Sequence, residues 1–307
     1  MRLAGPLWVR LAITALILAY FAWNIDLREA SLAIVRIDLR YLALVLALVA
    51  CDRAVMILRW VLLLRASNVA ISPGDAARIF LVSSFVGSFL PAGVGGDMAR
   101  AYGLTRATSD SSEALASVAD DRVLGILALV ARGVVGLAVS AASLADWRIS
   151  AAAALLVTAS LALFWADRVV ELLLPRTWRA HAIGVRLHAV GEALSRYRTR
   201  PGVLLHVFAW SLAVQLLRIV QAYFLGVGLG LAVRFPYYLV FMPVGLLMLL
   251  LPVSVSGFGL PQGVIVWLMR PLGVADEHSF ALSTLIVLTG LAGNLPGLVL
   301  WLRRPRR

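Results

Sequence analysis

Lysine is missing from this chain: all 28 basic side chains are arginine. That excludes a phosphate-loop lysine, a Schiff-base lysine and a Ser–Lys catalytic pair. Cysteine is nearly missing too. Cys51 alone permits no disulfide, and its place in an apolar run reads as inert packing. Charge is scarce as well, at 14% of residues, where a soluble domain carries about 25%. Acidic residues number 16, and the four histidines (positions 181, 188, 206 and 278) are dispersed, so no zinc site is suggested. There is no GxSxG and no glycine-rich phosphate loop, and no nucleophilic or acid–base constellation.

Apolar residues fill the space: 62% of 307 residues, with a mean hydropathy of +0.92. Soluble, disordered and disulfide-scaffold classes are excluded, and the chain reads as one polytopic membrane domain. At about 20 residues per span, roughly six to eight segments fit. The formal charge of +12 arises from arginines scattered among apolar runs. They read as topology signals and headgroup contacts rather than as a nucleic-acid surface.

Six full spans are expected, near residues 11–23, 41–64, 118–145, 149–166, 203–231 and 279–302. The first ends in Tyr20, Phe21 and Trp23 instead of a small-residue cleavage site, so it is read as a retained span. Two further segments, 75–104 and 235–272, are apolar but interrupted by proline and glycine. Residues 167–200 carry seven arginines and an apolar stripe of Ile183, Leu187, Val190, Leu194 and Tyr197. That spacing marks one helix face, either an amphipathic helix on an anionic surface or a solvated connector. Arginine placement puts both termini and 167–200 in the cytoplasm, while loop 26–40, with no net charge, faces out. This closes only if each interrupted segment enters and leaves on one side, the first from the cytoplasm and the second from outside.

The interruptions resemble one another. Leu90-Pro91-Ala92-Gly93-Val94-Gly95-Gly96 aligns without gaps to Leu251-Pro252-Val253-Ser254-Val255-Ser256-Gly257, at a constant offset of 161. Repeat A, about 41–146, and repeat B, about 203–302, are thus expected to be inverted copies, each holding a re-entrant broken-helix hairpin. The fold class is all-α integral membrane, with eight hydrophobic units. Broken helices in inverted repeats are transporter architecture, with a site near mid-membrane. Irregular backbone there must line a wet cavity or be buried in protein. Its free N–H groups suit an anion. The plainer reading is that these breaks only kink helices for packing.

Charges inside the spans are the candidate ligands. Asp52, Arg53 and Arg59 lie in 41–64, Arg132 in its own span, and Gln215, Arg218 and Gln221 share a face of 203–231. Each invites either a structural pair or a headgroup contact. Arg100 follows the glycine break, where its fork suits a phosphate, and Asp97 is a candidate N-cap. Asp110, Glu113, Asp120 and Asp121 match no metal-loop spacing. Asp121-Arg122, at the mouth of a span, reads as an ion pair or gate.

These stretches together resemble the lysylphosphatidylglycerol synthase transmembrane-region family. The resemblance rests on Arg59-Trp60 with Leu62-Leu63-Leu64, Phe89 to Asp97 with Arg100, Ser117 to Arg122 with Gly125, and Leu251-Pro252 through Gly257-Phe258-Gly259. It covers roughly residues 10–302 and implies a lipid translocase with two re-entrant elements around a lipid cavity. Two departures stand out. Pro261-Gln262 replaces the family's Arg-Glu pair, and the aminoacyl-transferase domain is absent, so no lysyl-lipid synthesis is expected.

The expected site is Arg59, Pro91, Gly93, Gly95, Gly96, Asp97, Arg100, Asp121, Arg122, Arg218, Pro252, Ser256, Gly257, Gly259 and Gln262. It needs no metal and no cofactor. The expected function is non-enzymatic movement or binding of an anionic phospholipid, or of a polyprenyl, glycolipid or hopanoid-pathway intermediate, between leaflets of a bacterial inner membrane. Membrane lipids, and a lipid-pathway enzyme, are the expected partners, with no nucleic acid. The rival readings are a lipid-modifying transferase using Asp120 and Asp121 with a divalent ion, an accessory subunit of one, and a non-transporting scaffold.

Overall fold

The computed structural model describes residues 16, 19, 21, 23–66, 69–90, 95–108, 121, 201–250 and 259–303. Among them every regular element is helical: α1 (Leu27–Val35), α2 (Leu39–Ala66), α3 (Pro73–Phe89), α4 (Gly95–Ala107), α5 (Pro201–Gly228), α6 (Phe235–Leu250), α7 (Leu260–Met269), α8 (Asp276–Ala292) and α9 (Leu295–Leu302). The expected span 118–145 apart from Asp121, the span 149–166, most of 11–23, and the segment 167–200 lie outside the described residues.

Among the described residues three stretches are long and apolar enough to cross a membrane: Leu39–Ala66, Ala209–Gly228 and Asp276–Leu302. The chain is an all-α membrane protein. At 1.5 Å per residue, the 28 residues of α2 and of α5 each extend about 42 Å, beyond the roughly 30 Å hydrocarbon core. The third stretch combines α8 and α9 across Gly293 and Asn294, which keep αR dihedrals ahead of Pro296.

The helix ends follow local chemistry. Ser72 caps α3 by accepting from Asp75 N at 3.1 Å, and Pro73 occupies the first turn, where its missing N–H is harmless. Leu90 ends α3 in extended conformation (ψ 159°), as the residue before Pro91 must. The 26–40 region is not a plain loop. Asp26 accepts from Arg28 N at 2.8 Å and Glu29 N at 3.1 Å and starts α1, a cap followed three residues on by an acid that the sequence displays.

Packing is built on one antiparallel pair. Asp38 N donates to Gly228 O, joining the start of α2 to the end of α5, and contacts further along keep that direction. α3 and α4 fold back on one another, Ile79 meeting Gly103 and Ser83 meeting Gly96. At 17 and 13 residues they reach only about 25 and 20 Å. The second half has the same order: α5 and α6 begin 162 positions after α2 and α3, and short α7 follows.

One core cluster joins α2, α5, α6, α7 and α8 through Val45, Ile219, Tyr238, Phe241, Ile265 and Leu282. A second joins α2, α3 and α4 through Trp60, Leu64, Phe80, Ala101 and Leu104. Outward faces carry Leu44, Leu46, Leu58, Leu216 and Leu288, all exposed, while Asp52, Arg59 and Gln215 are buried. That is the reverse of a water-soluble protein. Lipid is as apolar as leucine, so close packing and polar contacts hold such helices together. Cys51 belongs to the outward face: it is exposed, not packed as its apolar setting suggested.

Candidate functional site

The seam between α2 and α5 carries two layers of charge. Arg59 on α2 donates to Ser211 Oγ on α5 at 2.9 Å, and seven residues earlier Asp52 accepts from Arg218 Nε at 3.3 Å. Both helices space these residues by seven, two turns, so the layers lie about 10 Å apart along the seam. An antiparallel pair with one sevenfold spacing on each partner brings both layers into register.

In the first layer Asp121 is the centre. Its Oδ1 accepts from Arg59 Nη2 at 2.7 Å and its Oδ2 from Arg100 Nη1 at 3.0 Å. Arg100 turns its other hand to Asp97 Oδ1 at 2.9 Å. Its guanidinium also lies 5.0 Å from the Phe80 ring centroid and 5.4 Å from that of Trp60. Among the described residues two positive and two negative groups balance. Burial is deep, with Asp121 4% and Arg59 5% exposed. In such surroundings a pair survives only with good geometry and satisfied partners. Here one carboxylate spends both oxygens on two guanidinium groups, charge-assisted bonds of the stronger kind.

In the second layer Asp52 also meets Arg53, Nη1 to Oδ2 at 3.5 Å. Arg53 Nη2 donates to the Gly290 carbonyl on α8 at 3.1 Å. Met56 lies between the two arginines, its sulfur 3.1 Å from Arg218 Nη2 and 3.6 Å from Arg53 Nη1.

The structure therefore gathers Arg59, Asp97, Arg100 and Asp121, four residues from three separate stretches of the sequence. Arg218 joins Asp52 instead. Gly95 and Gly96 sit at the start of α4 against Leu90 and the α3 backbone near Ser83 and Gly87, a helix-packing position. Gly259 takes φ 105°, and its N–H donates to Gln262 Oε1 at 2.7 Å, so Gln262 caps α7 in a fully buried place. Pro91, Gly93, Arg122, Pro252, Ser256 and Gly257 lie outside the described residues, as do Asp110, Glu113, Asp120 and Arg132. Among the described residues no group of three or more His, Cys, Asp or Glu could hold a metal. The sequence reading missed Ser211, Met56 and the rings of Trp60 and Phe80 around Arg100. The shared spacing of seven is the signal that pairs Ser211 with Arg59.

An all-helical membrane protein with a buried ion network between its long helices and a short helical hairpin is the class this defines. The family described as Lysylphosphatidylglycerol synthase TM region matches residues 7–297 of the 307. The chain belongs to that family. No curated protein matches the sequence.

Proposed function

We propose that the protein is a lipid translocase that binds an anionic phospholipid or lipid-linked intermediate and moves its headgroup between leaflets. The observation that carries this is Asp121 shared by Arg59 and Arg100. Two guanidinium forks converge on one bidentate oxyanion, an arrangement equally suited to a phosphate. The family, the TM region of lysylphosphatidylglycerol synthase, points to lipid handling. A headgroup needs such a path because charge crosses hydrocarbon poorly.

In this mechanism the internal carboxylate holds the site closed. Arg100 rides on the α3–α4 hairpin and Arg59 on the α2–α5 pair, so Asp121 ties the two bodies. An arriving phosphate takes over the guanidinium groups, frees Asp121, and lets the hairpin rock against the pair. The matched order of α2–α3 and α5–α6 supports reading the two halves as inverted repeats, and the short hairpin helices support re-entry on one side. Arginine distribution supports a multi-pass placement with both termini cytoplasmic, and the absence of lysine supports a GC-rich bacterial source, hence an inner membrane. A gradient or simple equilibration drives exchange. Transfer chemistry through a divalent ion at Asp121 is disfavoured, because both carboxylate oxygens face guanidinium groups that repel a cation.

Leaflet exchange of fluorescent phosphatidylglycerol in proteoliposomes tests this reading. Arg100→Lys keeps the charge but loses the fork spanning Asp97 and Asp121, so exchange falls. Arg100→Ala falls further, by about 1.5–3 kcal/mol of binding, the size of one lost charge-assisted bond. Arg106, exposed and stacked on the Tyr102 ring, tolerates both changes. Equal behaviour of the Arg100 and Arg106 variants overturns the assignment.

A further inference from the structure

The second charged layer does not balance. Arg53 and Arg218 bring two guanidinium groups to one carboxylate, Asp52, and among the described residues no other acid pairs with them. One positive charge is left over. Its depth makes this unusual. Asp52 and Arg53 are the two central residues of the stretch Leu39–Ala66, Arg218 is central in Ala209–Gly228, and Gly290 lies next to the centre of Asp276–Leu302. Every candidate span among the described residues contributes to this one layer from its middle. Mid-membrane is where an uncompensated charge is least tolerated, and residues kept there mark a functional path.

The donors are also poorly used. Arg218 Nη2 and Arg53 Nη1 both point to the thioether sulfur of Met56. Sulfur is a weak acceptor for two strong, charged donors. Arg53 Nε is buried with no hydrogen-bond partner, as are Arg59 Nε and Arg100 Nε in the first layer, so the Met56 contacts are what distinguish this layer. The site is nonetheless reachable, since the side chains of Arg53 and Arg218 are 17% and 27% exposed while Asp52 is 4% exposed. Surplus positive charge, convergent forks and a weak neutral acceptor between them describe a place for an oxyanion. Met56 is unbranched and flexible, so it can swing aside.

We propose that Arg53 and Arg218 hold a phosphate oxyanion at mid-membrane, with one oxygen replacing the Met56 sulfur between the two guanidinium groups. Asp52 keeps both arginines oriented and limits the net attraction to one charge, so the anion is released again. This deepens the translocase reading and rests on it for the source of the phosphate: a headgroup released from Arg59 and Arg100 would meet this layer about 10 Å further along the seam.

The test is native mass spectrometry of the purified full chain in phosphate-free detergent. It is titrated with dioleoylphosphatidylglycerol, with dioleoylglycerol, which lacks the phosphate, and with inorganic phosphate as competitor. Wild type is expected to prefer phosphatidylglycerol to dioleoylglycerol. Arg218→Gln should lower that affinity at least about tenfold, the weight of one charge-assisted bond. Met56→Leu, which keeps the volume and removes the competing acceptor, should bind at least as tightly as wild type. Where Arg218→Gln does not fold, Arg218→Lys serves, and should bind more weakly despite its charge. Displacement by inorganic phosphate identifies a site open to the free anion; no displacement identifies one reserved for lipid headgroups. Unchanged affinity in the Arg218 variants overturns the proposal, and so does weaker binding in Met56→Leu. If Arg100→Ala blocks leaflet exchange while the Arg218 variants bind normally, this second station fails and the translocase reading stands.

Discussion

Asp121→Asn is the sharpest probe of the ion network. The wild-type carboxylate accepts from Arg59 at 2.7 Å and from Arg100 at 3.0 Å, and with Asp97 it balances the two arginines. Asparagine keeps the shape but removes one negative charge and turns one oxygen into an NH2 donor. One of the two guanidinium groups then faces a donor, and a buried positive charge is left without a partner. Removing one member of a buried pair costs about 3–5 kcal/mol. Arg59, with 6% of its side chain exposed, has no route to water that would soften this. Unfolding in mixed detergent–SDS micelles measures the cost. Adding Arg59→Met to Asp121→Asn removes the surplus charge, so the double variant should lose less than the sum of the singles, with a coupling of about 1–3 kcal/mol. In the exchange assay Asp121→Asn should still bind phosphatidylglycerol but transfer it slowly. A single variant within about 0.5 kcal/mol of wild type, or a double variant equal to the sum, refutes the shared-carboxylate account.

Two other expectations concern packing and depth. A side chain at Gly297 would run into the Leu81 carbonyl, and one at Gly95 into Leu90, so Gly297→Val and Gly95→Val should each reduce folded yield in size-exclusion profiles. Normal yield with lost exchange would instead return Gly95 to a ligand-facing role. Cys51, exposed one residue from the middle of α2, should, once spin-labelled, be accessible to oxygen and shielded from a water-soluble nickel chelate. Equal access to both relaxants would place this face of α2 against water.

Composition alone was enough for the membrane class, because a membrane imposes apolar length directly on the sequence. The end of α3 was legible for a local reason: proline disfavours helical backbone at the residue before it, and Leu90 is extended. α1 escaped because a nine-residue helix between balanced charges leaves little hydropathy signal, though its Asp26 cap was in view. Membership in the ion network was half legible. An aspartate or arginine inside a span announces that it has a partner but not which one, since that depends on helix contacts distant in the chain. Arg59 and Arg218 look alike on paper, yet one meets Ser211 and Asp121 and the other Asp52.

The difference between the two layers follows from what each arginine can reach. Arg59 and Arg100 come from separate bodies and are joined by a carboxylate from outside both helices, and with Asp97 the charges of this layer balance among the described residues. Arg53 and Arg218 share an acid that belongs to α2 itself, and Asp52 cannot neutralise both. A neutral layer suits holding and a positive layer suits attracting, and the seam places one above the other. A headgroup that opened the first by replacing Asp121 would leave it for a site with open charge rather than for bare hydrocarbon. Under the proposed translocation, the order of the layers along α2 takes a headgroup from a site where it replaces the Asp121 carboxylate to one where it replaces the Met56 sulfur, with arginine partners at both.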